Sequence, residues 1–105
     1  MNKHSNYESW KDWDLKSFGN VTKFEKAYFE NIAKLLRLKK TSKILEIGFG
    51  NGSFMAFAYS QKFNYDGVET NENLVKFALK KNFSAYHSIE SVQNEGKYDL
   101  IALFD

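Results

Sequence analysis

Residues Ile44 to Gly52 read ILEIGFGNG. An apolar run, Lys43 to Ile47, enters a cluster of glycines at Gly48, Gly50 and Gly52, and helical periodicity resumes beyond it. A strand that passes through a glycine turn into a helix is a ligand-binding arrangement. Glycine permits the unusual dihedrals of a tight turn and, having no Cβ, lets a ligand reach the backbone. The helix start offers unpaired N–H groups and a positive dipole to a carboxylate or phosphate. The spacing then discriminates between ligands. A dinucleotide fingerprint, G-x-G-x-x-G, would put its third glycine at position 53, which is Ser53 here. Glu46, just before the first glycine, suits a ligand carrying an ammonium group and would repel a pyrophosphate.

Outward from this stretch the chain alternates. A helix is expected over roughly Gly52 to Lys62, with Phe54, Met55, Ala58 and Tyr59 on one face. Tyr65 to Glu69 (YDGVE) reads as a second strand. Asn71 caps the next helix, with Glu72 in its first turn. Leu74, Val75, Ala78 and Leu79 form the buried side of that helix. Ser84 to His87 is a third strand and Tyr98 to Phe104 (YDLIALF) a fourth, apolar on both faces and so expected to be covered on both. Before the glycine turn, Thr22 with Glu25 fits a capping box that opens a helix. Phe24, Tyr28, Ile32, Leu35 and Leu36 form its expected apolar face. Gly19-Asn20 is a break, which leaves 1–20 as a polar segment carrying Tyr7, Trp10, Trp13 and Phe18, and 21–105 as the binding domain. Strands alternating with helices give an α/β fold, a doubly wound parallel sheet of strand order 3-2-1-4.

Composition narrows the function classes. Fifteen basic and 13 acidic residues are interleaved, for a net charge of +2, which is no nucleic-acid footprint. There is no cysteine, so disulfides, thiolate metal sites and cysteine nucleophiles are excluded. Two distant histidines, His4 and His87, make no metal site. No apolar run approaches the ~20 residues of a membrane helix, and the start resembles no signal peptide, so a cytoplasmic location and no membrane partner are expected. Aromatic residues reach 17%, enough to fill a small core or to line a pocket for a flat ligand.

The E-x-G-x-G-x-G arrangement of Glu46 to Gly52 resembles motif I of the class I S-adenosylmethionine-dependent methyltransferases, which have a Rossmann-like fold. The resemblance covers Lys43 to Asp105 and, more loosely, the preceding helix. It implies S-adenosyl-L-methionine as cofactor. Glu46 would serve its amino group, directly or through water, and the backbone of Gly48, Phe49, Gly50 and Gly52 would approach the ligand, with Phe49 equally suited to fill the core. Glu69 ends the second strand roughly 20 residues after Gly48, where a carboxylate accepts from the ribose hydroxyls. That acidic strand end fits any adenosine cofactor; Glu46 and the compact glycine spacing favour S-adenosylmethionine. Ser88 and Ile89 match the border of the adenine, although Ser88 stands where many members carry Asp. Asp105, at the carboxyl end of the fourth strand, is the candidate catalytic group and a further cofactor contact; Asp99, at the opposite end, reads as structural.

The resemblance implies methyl transfer to a small-molecule acceptor. It also implies three further strands after Asp105, so the sheet is expected to be incomplete and this chain alone inactive. Its fourth strand would be an exposed edge able to self-associate through 98–104. Two other classes compete: a non-catalytic binding or interaction fragment, and an NAD-dependent oxidoreductase, which Ser53 and Glu46 disfavour.

Overall fold

In the computed structural model, which describes residues 16–92 and 97–104, a helix leads into alternating strands and helices. Helix α1 is Lys23–Leu35. Its N-terminus is the expected capping box: the Thr22 hydroxyl accepts from the Glu25 N–H at 3.1 Å, and the Glu25 carboxylate accepts from the Thr22 N–H at 2.9 Å. Strand β1 is Lys43–Ile47, helix α2 Ser53–Ser60 and strand β2 Asn64–Val68. Helix α3 is Glu72–Lys80, started by the Asn71 side chain, which accepts from the N–H groups of Asn73 and Leu74. Strand β3 is Ala85–Tyr86, a 3-10 turn spans Ile89–Ser91, and strand β4 is Leu100–Ala102.

The four strands are parallel in the order β3-β2-β1-β4. In register, Glu46 lies between Gly67 on β2 and Ala102 on β4. Strand residues alternate between two faces. Ile44, Tyr65, Ala85 and Ala102 join Phe29 of α1, Met55 and Phe57 of α2, and Val75 and Ala78 of α3 in the main core, so the three described helices pack on one face. Leu45 and Val68 point to the other, where Val92, Ile47, Tyr86 and Tyr98 pack with them. Among the described residues no helix is long and apolar enough to cross a membrane.

Four expectations about buried faces are corrected. The inward residue of α1 is Phe29, with Ala33 against the core, while Phe24 is 90% exposed and Tyr28, Leu35 and Leu36 face outward. Ring packing sets this register: Phe29 lies 5.2 Å from Phe54 and 5.5 Å from Phe104 between ring centres, which turns the longer apolar stripe of the helix to the outside. On α2, Phe57 takes the buried place expected of Tyr59, and on α3 Leu79 is exposed while Val75 and Ala78 are buried. Strand β4 is not covered on both faces. Ile101 sits beside Leu45 in register and therefore points to the second face, where it is 56% exposed, as Leu103 is at 70%.

Candidate cofactor site

The glycine turn is wound through left-handed backbone: φ is 75° at Gly48, 55° at Gly50 and 79° at Gly52. Its three glycines have different tasks. A Cβ on Gly48 or Gly50 would meet nothing within 4 Å, so these positions are glycine for conformation and leave open backbone for a ligand. A Cβ on Gly52 would lie 2.7 Å from the Phe18 ring. Gly52 is therefore the packing glycine, buried beneath Phe18 at the cap of α2, and does not border the cavity described next.

Glu46, Gly48, Phe49 and Gly50 come together on one cavity of about 420 Å³, whose other walls are the start of α2, the first turns of α1 and Phe104. Glu46 is only 2% exposed. The Tyr65 hydroxyl donates to its Oε1 at 2.5 Å. Burial pushes the Glu46 carboxyl up to about 7; the Tyr65 hydrogen bond opposes this and the nearby Glu69 charge adds to it. Glu69 follows β2 directly. Its Oε1 accepts from the Gly50 N–H and its Oε2 from the Asn71 N–H, both at 3.0 Å. The second carboxylate is thus tied to the glycine turn itself, and each oxygen keeps a lone pair for a further donor.

Of the other sequence-selected residues, Glu69, Ser88, Ile89, Asp99 and His87 do not line this cavity. Ser88 precedes the 3-10 turn, its hydroxyl 3.0 Å from that of Ser91. Ile89 lines a separate groove with Leu45, Ile47, Val92, Tyr98 and Ile101 on the second face of the sheet. Phe49 is buried in the main core while also bordering the cavity. Asp99 is tied into the start of the sheet, its carboxylate accepting from the Lys43 N–H at 2.8 Å. His87 is exposed just past β3. Of the N-terminal aromatics, Phe18 is a core residue, its ring packed on Phe49, Phe77 and Phe83. Tyr7, Trp10, Trp13 and the candidate Asp105 lie outside the described residues.

Two residues of the site were missed. Tyr65 supplies the hydroxyl on Glu46, and Gly67 supplies the room for it. A Cβ on Gly67 would stand 2.8 Å from the Tyr65 hydroxyl and 2.7 Å from the Phe49 ring. The available signal was the glycine inside YDGVE, since a glycine within a strand often marks the close approach of another group.

A larger cavity, about 580 Å³, lies at the far end of α1 among Lys34, Arg37, Lys39, Lys40 and Gln61. It adjoins the loops that enter β1 and β2. Open α/β sheets bind ligands at the opposite, carboxyl ends of their strands, where the glycine turn is. Strand order and glycine turn define a Rossmann-like domain of the class I methyltransferase type. The chain belongs to the methyltransferase domain family, whose model matches residues 21–105. It is also similar to the non-reducing polyketide synthase nvfA of Aspergillus novofumigatus (strain IBT 16806), with 29% identity over 99 residues. That alignment covers 84% of this chain and 4% of the synthase, so the chain spans a small part of the length of this relative.

Proposed function

We propose that the chain binds S-adenosyl-L-methionine at the glycine turn and serves methyl transfer to a small-molecule acceptor. One observation carries the reading. A turn with two open, left-handed glycines joins a buried carboxylate, Glu46, to a second, Glu69, whose oxygen accepts from the turn's own Gly50 N–H. The donor set fits the group. Glu46 takes the ammonium of the amino-acid end, the exposed backbone of Gly48 and Gly50 lies along it, and Glu69 accepts from the ribose hydroxyls. When bound, the cofactor supplies a methyl group already activated on a sulfonium.

The chain's own residues then bind and orient. The two N–H groups on Glu69 hold its carboxylate in one place, which lowers the entropy cost of engaging the sugar. The turn and α2 fix the nucleoside relative to the cavity, and holding reactants in line is the main catalytic task for such a donor. Phe29, Phe54 and Phe104 give the cavity an aromatic wall, which supports an acceptor with an apolar ring. Ser88 and Ile89 remain the proposed border of the adenine and Asp105 the proposed group beside the acceptor. The exposed Ile101 on the edge strand β4 and the exposed Leu103 just after it support self-association through 98–104.

Calorimetric titration with S-adenosylhomocysteine and with NAD tests the assignment. The expected result is binding of the first and none of the second. Glu69→Ala and Gly50→Val should each weaken S-adenosylhomocysteine at least about tenfold, the loss of one charge-assisted hydrogen bond or of the turn's backbone conformation. Unchanged affinity in well-folded variants contradicts the placement. A methyl-transfer assay separates a catalytic chain from a binding fragment.

A further inference from the structure

Glu46 is a carboxylate inside a sheet, and such a group needs a partner to stay in one orientation. Its partner comes from the neighbouring strand. Tyr65 lies on the same face of the sheet, buried against Phe54 and Tyr59. The residue directly beside Glu46 on that strand is Gly67. The absent side chain leaves a notch, and the Tyr65 hydroxyl occupies it to reach Glu46 Oε1. Among the described residues nothing donates to Oε2, and no buried side-chain oxygen or nitrogen lacks a partner, so Oε2 is the oxygen left to the cavity that Glu46 lines.

We propose that Tyr65 is a positioning residue for the amino-acid end of the cofactor, its hydroxyl holding one oxygen of Glu46 so that the other meets the ligand's ammonium group. The inference rests on the cofactor reading above and adds a residue to it. The chemistry has a fixed direction. Burial and the adjacent Glu46 carboxylate push the Tyr65 phenol well above its ordinary range, so it stays a donor at every working pH. A permanent donor favours the ionised carboxylate and opposes the effect of burial. Among the described residues, the other titratable groups around Glu46 are Glu69 at the end of β2, and Glu25 and Tyr28 of α1 across the cavity. Of these Glu69 disfavours the Glu46 charge, which leaves the Tyr65 hydroxyl to sustain it. Among the described residues, α2, β4 and the stretch that follows it bring Ser53, Phe54, Met55, Ala102 and Phe104 to this region, none of them charged.

The test compares two thioether nucleosides, S-adenosylhomocysteine and 5′-methylthioadenosine, which lacks the amino-acid end. Both are titrated into wild type, Tyr65→Phe, Glu46→Gln and the double variant across pH 6 to 8.5. Tyr65→Phe is expected to weaken S-adenosylhomocysteine about tenfold at pH 7, to leave 5′-methylthioadenosine within about twofold, and to move the pH at which S-adenosylhomocysteine affinity rises upward by about one unit. In the Glu46→Gln background the Tyr65 substitution should cost nothing further, because coupled residues are not additive. Equal weakening of both nucleosides, an unmoved pH profile, or an undiminished loss in the Glu46→Gln background each overturns the proposal. Wild-type protein that binds neither compound overturns the cofactor reading itself. Should Tyr65→Phe not fold, nuclear magnetic resonance of wild type carries the test. The Glu46 carboxyl and Tyr65 hydroxyl signals should shift together with S-adenosylhomocysteine and stay put with 5′-methylthioadenosine; signals indifferent to both overturn it.

Discussion

Glu46 brings a pH dependence to the fold. In the native protein its carboxyl holds a proton up to about pH 7, against 4.5 for an ordinary glutamate. Between those values the folded state binds more protons than the unfolded chain. Stability from this group is therefore fully present below 4.5, falls as pH rises to 7, and is level above. The fall is on the order of 3 kcal/mol. Urea unfolding should show it in wild type and not in Glu46→Gln; parallel curves for the two would contradict a carboxyl whose burial outweighs its Tyr65 hydrogen bond. The glycines make a second prediction. Gly52→Ala combines a left-handed φ with a Cβ 2.7 Å from Phe18, and should cost about 3 kcal/mol. Gly50→Ala meets open space and should cost about 1 kcal/mol. Similar losses would show that Phe18 yields. Glu46, Gly48 and Gly50 were legible in the sequence because their relation is local. Tyr65 and Gly67 were not, because they meet Glu46 only through the pairing register of two strands.

The starts of α1 and α3 were legible, whereas strand extents and buried faces were not: the strand expected over Tyr98 to Phe104 is Leu100–Ala102, and that over Ser84 to His87 is Ala85–Tyr86. Thr22 and Glu25 announced α1 through a contact confined to four neighbouring residues, and Asn71 announced α3 in the same way. Which side of α1 turns inward depends instead on Phe54 and Phe104, distant in sequence. The apolar repeat at Phe24, Tyr28 and Leu35 could not report that. The consequence is measurable. Phe29→Ala should destabilise by about 3–5 kcal/mol, whereas Phe24→Ala should stay within about 0.5 kcal/mol. A large effect at Phe24 would mean that the outer stripe is covered in solution. Thr22→Ala should cost about 1 kcal/mol by removing the capping hydroxyl.

At the scale of the molecule, the strand order followed from alternation alone, since helix-linked parallel strands have few ways to pair. The covering of the sheet did not follow. An apolar run such as LIALF says that a strand is suited to burial on both faces, and what lies over it is settled by other segments. With Ile101 and Leu103 exposed, light scattering should detect self-association that an Ile101→Lys, Leu103→Lys double variant abolishes. A wild-type monomer at high concentration would contradict that reading. A crystal structure with S-adenosylhomocysteine bound tests the role of the turn most directly. The ligand's ammonium is expected against Glu46, its ribose hydroxyls on Glu69 and its chain along Gly48 and Gly50. A ligand lodged in another cleft, or lying across the turn with either carboxylate unengaged, would contradict that role.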